Sequence, residues 1–127
     1  MDQLPVLIVE DDPDIRETLQ SFLDFEGYLV LTAENGQVAL DVIARQLPGL
    51  ILLDLRMPIM DGWTFAKKLK ERGVAIPIVV MTAERDSEAW AKEIAGAGYL
   101  AKPFDLCHLL SVVEKLYVSR RSDLPPA

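Results

Sequence analysis

Short aliphatic runs recur along the chain at even intervals: Val6-Leu7-Ile8-Val9, Tyr28-Leu29-Val30-Leu31-Thr32, Leu50-Ile51-Leu52-Leu53, Ile76-Pro77-Ile78-Val79-Val80-Met81 and Tyr99-Leu100-Ala101. Apolar stretches of this length, without a polar residue at every second place, predict strands covered on both faces, as inside a parallel sheet. Between them the apolar residues return at helical spacing. Ile15, Leu19, Phe22 and Leu23 mark a first helix that starts at Asp12-Pro13 and runs to about Glu26, where Gly27 stops it. Asn35-Gly36 opens a second helix carrying Val38, Ala39, Ile43 and Leu47, with Pro48-Gly49 as its stop. Phe65, Ala66 and Leu69 mark a third that ends near Gly73, Trp90 and Ile94 pair on a fourth from Arg85 to Ala95, and Asp105 caps a fifth with Leu109, Leu110, Val113 and Leu116 inside.

Strict alternation of strand and helix implies βαβ units, and so an α/β fold: one doubly wound parallel sheet of five strands with helices on both faces. Right-handed crossovers leave few topologies, and 2-1-3-4-5 is the common order for this number of strands. Strands one, three, four and five are then neighbours, and the residues at their carboxyl ends fall on one edge. Strand one leads into Glu10-Asp11-Asp12, strand three ends in Asp54, strand four in Thr82, and strand five leads into Lys102. The carboxyl edge of such a sheet is where ligands bind.

The bulk numbers narrow the setting. At 127 residues, half of them apolar, the chain suits one domain, expected over 1–118, with 119–127 as a flexible tail or the start of a linker. A formal net charge of −7 argues against direct nucleic-acid contact and against an anionic membrane surface. With Cys107 as its single cysteine, no signal-peptide pattern and no apolar run of spanning length, the chain is expected to be cytoplasmic. His108 beside Cys107 lacks metal-ligand spacing, and both read as packing or surface residues of the fifth helix. Trp63 and Trp90 read as core or half-buried packing rather than partner anchors.

Taken singly, Asp11 and Asp12 read equally well as helix caps, Lys102 as a surface charge and Thr82 as a strand-end hydroxyl. Their joint placement at adjacent strand ends calls for chemistry. Carboxylates crowded together repel one another and raise each other's pKa, so a site that holds them ionised requires a divalent cation. An all-oxygen donor set without His or Cys points to Mg²⁺ or a similar hard ion such as Mn²⁺. Lys102 adds a point positive charge and Thr82 a hydroxyl donor, both suited to phosphoryl oxygens. The set therefore reads as a phosphoryl-transfer site with Asp54 as nucleophile.

Glu10-Asp11 after strand one, Asp54 followed by Met57-Pro58 and Asp61-Gly62, Thr82-Ala83 after strand four and Lys102-Pro103-Phe104 after strand five together resemble the receiver domain of two-component response regulators, over about residues 4 to 118. The resemblance implies a flavodoxin-like (βα)5 fold and a phosphorylation-activated signalling switch rather than an enzyme. Asp54 would accept a phosphoryl group from a sensor histidine kinase or phosphotransfer protein, and the chain would assist its own phosphotransfer and autodephosphorylation. Asp11, Asp54 and the Arg56 backbone carbonyl would hold Mg²⁺, with Glu10 acting through water. Lys102 and Thr82 would bind phosphoryl oxygens. Thr82 and Tyr99 would form the switch that alters the surface of the fourth helix, fifth strand and fifth helix for a downstream output protein or domain.

The same resemblance implies a cis peptide before Pro103 and a monomer or a phosphorylation-dependent dimer. Arg56 and Glu84 would flank the path of water to the acyl phosphate and gate its decay. One departure stands out: between Thr82 and Lys102 the chain is about two residues shorter than the family pattern, enough to shorten or rotate the fourth helix. Two other classes fail on single positions. A dehalogenase-type phosphatase needs a second Asp where Arg56 stands, and an FMN carrier needs a phosphate cradle where Glu10-Asp11-Asp12 would repel phosphate.

Overall fold

The computed structural model describes residues 3–83 and 87–126. Five strands, β1 (Val6–Val9), β2 (Val30–Ala33), β3 (Leu50–Asp54), β4 (Ile78–Thr82) and β5 (Gly98–Ala101), form one parallel sheet in the order β2-β1-β3-β4-β5. The five intervening and following helices are α1 (Pro13–Phe25), α2 (Gly36–Arg45), α3 (Gly62–Glu71), α4 (Ser87–Ile94) and α5 (Leu106–Leu116). The expected α/β class and strand order are both observed.

The central strands are buried along their whole length, and their side chains alternate between two cores. Leu7, Val9, Ile51, Leu53 and Val80 face α2, α3 and α4, where they meet Ala39, Leu40, Phe65, Leu69 and Ala91. Val6, Ile8, Leu50, Leu52, Val79 and Met81 face α1 and α5, against Leu19, Leu23, Leu109 and Val113. A continuous aliphatic run was thus required because each strand feeds both layers.

Element ends differ from expectation in several places. α2 stops at Arg45, short of Leu47, and β5 begins one residue early at Gly98, while the expected start of the fourth helix at Arg85 lies outside the described residues. Two strand starts differ for backbone reasons. β2 begins at Val30 instead of Tyr28, because Gly27 turns at φ +95 and the Tyr28 N–H closes the end of α1 on the Leu23 carbonyl. β4 begins at Ile78 instead of Ile76, because Pro77 has no N–H to give and contributes only its carbonyl, to the Ile51 N–H at 2.9 Å. Beyond α5 the chain crosses the opposite edge of the sheet. Val118 donates to the Gly49 carbonyl and Ser119 accepts from Leu4 N–H, before a single 3-10 turn at Arg121–Asp123. A Cβ on Gly49 would stand 1.8 Å from the Val118 carbonyl oxygen, so only glycine admits this crossing.

Candidate functional site

The parallel register brings the expected residues together. Val9 lies opposite Leu53, Asp54 opposite Met81 and Thr82 opposite Ala101, so Glu10, Asp54, Thr82 and Lys102 leave four adjacent strands at one edge. Glu10 is held by its own N–H on the Ala33 carbonyl at 3.0 Å, and Lys102 by its N–H on the Thr82 carbonyl at 2.8 Å. Glu10, Asp54 and Thr82 are buried; Asp11 is exposed.

Glu10, Asp11 and Asp54 each offer a carboxylate oxygen, all within 4.8 Å of one another. Lys102 Nζ lies 2.5 Å from Glu10 Oε1 and 3.6 Å from Asp54 Oδ1. Asp54 is pushed up from 3.8 to about 7, first by burial and then by the negative charge of Glu10. Lys102 works the other way, and hydrogen bonds with the Glu10 and Asp11 carboxyls raise it again. The cluster is short of positive charge, and its donors are hard oxygens. That is the chemistry into which Mg²⁺ or Mn²⁺ fits, with Glu10, Asp11 and Asp54 as the carboxylates available to hold it.

The carboxylate next in sequence is set apart. Asp12 is the N-cap of α1, its Oδ1 accepting from Asp14 N–H at 2.9 Å and Ile15 N–H at 3.3 Å. Arg16, which no sequence pattern singled out, donates from Nη1 to the Glu10 carbonyl at 2.9 Å and to the Asp11 carbonyl at 3.4 Å. It clamps the backbone that carries two of the three acids. An arginine one helical turn past an N-cap is the signal that could have exposed it.

The loop after Asp54 is tied at three points: Gly62 N–H to the Leu55 carbonyl, Met60 N–H to the Pro58 carbonyl and Gly36 N–H to the Met60 carbonyl. Arg56 is exposed there, its guanidinium over the Trp63 ring. Its expected gate partner, Glu84, lies outside the described residues. Tyr99 is 42 % exposed in β5, and its hydroxyl donates to Glu88 Oε2 of α4 at 3.4 Å. The Lys102–Pro103 peptide is cis. Cys107 and His108 are exposed on α5, and neither belongs to the cluster of Glu10, Asp11 and Asp54.

The sequence matches the response regulator receiver domain model over residues 6–114. The chain is a response regulator receiver domain. It is 44 % identical over 114 residues to the response regulator MprA of Mycolicibacterium vanbaalenii, covering 87 % of this chain and 49 % of MprA. The DNA-binding transcriptional regulator NtrC of Escherichia coli is 38 % identical over 112 residues, covering 87 % of this chain and 24 % of NtrC. The chain therefore spans about half the length of the one relative and about a quarter of the other.

Among solved structures, the response regulator TrrA of Thermotoga maritima in complex with Mg²⁺ and BeF superposes with a TM-score of 0.80 at 33 % identity, over 91 % of this chain and 99 % of that one. A Francisella response regulator receiver domain gives 0.83 at 26 % identity, over 90 % and 96 %. No helix among the described residues of this receiver is long and apolar enough to cross a membrane.

The pKa of Asp54 makes a prediction about the metal-free receiver. A carboxylate raised from 3.8 to about 7 binds more protons folded than unfolded across that window. Its contribution to stability is therefore full below about pH 4 and is lost as pH rises through about 7. Asp54→Asn removes the penalty. Without metal, the variant is expected to be more stable than the parent by roughly 2 kcal/mol at pH 8, and equal to it near pH 4. Urea unfolding at the two pH values checks this; a gap that does not grow with pH contradicts it.

Proposed function

We propose that this receiver is a phosphorylation-driven signalling switch whose phosphoacceptor is Asp54. The observation that supports the reading best is the meeting of Glu10, Asp11, Asp54 and Lys102 at one strand edge, with Asp54 buried and held near pKa 7. A carboxylate that its surroundings strip of water and crowd with like charge is a ready nucleophile. In the transfer, an Asp54 carboxylate oxygen bonds to phosphorus as the N–P bond of a phosphohistidine breaks; the ring nitrogen keeps the bonding pair and the other ring nitrogen already carries a proton, so the imidazole leaves neutral. The donor is a sensor histidine kinase, a phosphotransfer protein or a small phosphodonor.

Lys102 exchanges its contact with Glu10 for a phosphoryl oxygen, and the Thr82 hydroxyl takes another. Asp11, Asp54 and the Arg56 carbonyl, with Glu10 acting through water, would hold Mg²⁺ or Mn²⁺, whose charge would offset that of the acids and the incoming phosphoryl group. Occupancy then draws Thr82 inward, turns Tyr99 off Glu88 and changes the surface of α4, β5 and α5 that a downstream protein or output domain reads. Arg56 and Glu84 would act as one unit to set how long the acyl phosphate lasts. The chain works in the cytoplasm as a monomer or a phosphorylation-dependent dimer, with residues 1–118 as the switch.

Incubation with acetyl phosphate is expected to add one phosphoryl group only when Mg²⁺ or Mn²⁺ is present. The product is expected to survive acid and to be lost in mild alkali, as an acyl phosphate is. Equal modification in the presence of a chelator, or a product that survives alkali, contradicts the reading.

A further inference from the structure

Two residues beyond Asp54, the Arg56 guanidinium carbon stands 5.5 Å from the centroid of the Trp63 ring. Trp63, in the first turn of α3, meets Trp90 of α4 edge to face, with centroids 5.2 Å apart and planes at 79°. Both indoles are half-buried and packed against the α2-α3-α4 core, so neither ring is free to turn without disturbing it. Trp63 Nε1 is buried and has no hydrogen-bond partner among the described residues. The ring is therefore held by its faces and edges, through Arg56 on one side and Trp90 on the other.

On α4, Glu88 lies two residues before Trp90 and accepts from the Tyr99 hydroxyl. The helix is thus linked on one side to β5 and on the other, through two rings, to the loop that leaves the acidic cluster. The second link involves neither Thr82 nor Tyr99.

We propose that Trp63 is a positioning residue: it couples Arg56 to Trp90, so that filling the acidic site moves α4 by a route separate from Thr82 and Tyr99. The proposal rests on the reading of Glu10, Asp11 and Asp54 as a metal and phosphoryl site. The physical basis is that Arg56 carries a backbone carbonyl of the proposed ligand set and a side chain stacked on Trp63. A shift of the peptide on ligation changes the base from which the guanidinium reaches the ring. Edge-to-face rings pass such a displacement on as a rigid unit, because sliding either one would open a void in the core.

The chain has two tryptophans, so a nitrogen-15-labelled sample gives two indole signals, assignable by replacing either residue. Mg²⁺ with beryllium fluoride serves as the probe, and the Asp54 backbone amide reports filling of the site. In the parent, the Asp54 amide and both indoles are expected to shift. In Trp63→Leu the Asp54 amide still shifts, while the Trp90 indole displacement falls to about a third or less; Trp63→Phe, which keeps an aromatic ring, though a smaller one without the N–H, recovers at least about half of it.

Arg56→Gln, at an exposed position that does not threaten folding, is expected to cut the Trp90 displacement at least about twofold. A full Trp90 displacement in Trp63→Leu or in Arg56→Gln overturns the proposal. So does a silent Trp90 in a parent whose Asp54 amide shifts. If the Asp54 amide itself stays still, the reading of the site falls and the relay falls with it.

Discussion

Lys102→Ala is expected to lower the stability of the metal-free receiver by about 3 kcal/mol at pH 8, the scale on which removing one partner of a buried ion pair acts. Its ammonium is 2.5 Å from Glu10, a side chain 1 % exposed, and it also faces Asp54 at 3.6 Å. Without it, two buried carboxylates share one small volume with no cation. The loss is expected to shrink at pH 5. With the lowering influence of Lys102 gone, Asp54 rises beyond about 7 and is protonated there at little cost. Added Mg²⁺ is expected to restore part of the stability at pH 8, because a divalent ion supplies the charge the lysine gave. Urea midpoints at the two pH values, with and without Mg²⁺, check this; an unchanged midpoint at pH 8 removes Lys102 from the charge balance of the site.

Gly62→Ala is expected to slow phosphoryl acceptance by at least about tenfold while the protein still folds. A Cβ at this position would stand 2.5 Å from the Asp54 carbonyl oxygen and 2.9 Å from Leu55 Cα. Both are backbone atoms and neither can swing aside. The added methyl must push the end of β3, and with it the carboxylate that has to align with an incoming phosphorus. Misplacement on the ångström scale costs orders of magnitude in rate, whereas one overpacked methyl costs about 1–3 kcal/mol in stability. Initial rates with acetyl phosphate in saturating Mg²⁺ decide it: a rate within about twofold of the parent shows that the end of β3 tolerates displacement.

Gly62 also marks a limit of local sequence patterns. Beside Asp61 it looks like turn chemistry, and Asp61 is indeed the N-cap of α3, its Oδ1 accepting from Thr64 N–H at 2.8 Å. The glycine answers a different need, the approach of one backbone to another, which no local pattern records. Gly49 is the same case, read as a helix stop and required because Val118 crosses it. The fold itself was legible, since unbroken aliphatic runs separated by helical periodicity admit few arrangements. The strand starts at Tyr28 and Ile76 were not, because hydrophobicity does not tell whether an N–H is already committed to a helix end or absent in a proline.

The placement of Glu10, Asp11, Asp54, Thr82 and Lys102 at one edge was legible because strand ends in a parallel sheet converge whatever the loops do. The surroundings of Arg56 were not legible. Its contact with Trp63 spans a loop whose path is set by hydrogen bonds to Gly36 and Leu55, and the contact of Trp63 with Trp90 joins two helices separated by β4.

Whether Asp54 is the residue that carries the phosphoryl group is tested most directly by chemistry. The receiver is treated with acetyl phosphate and Mg²⁺, the product is reduced with borohydride, and the digest is sequenced by mass spectrometry. Reduction converts an aspartyl phosphate to homoserine. Homoserine at position 54 and at no other aspartate is the predicted result; homoserine at position 11 or 12 with Asp54 intact would contradict the account.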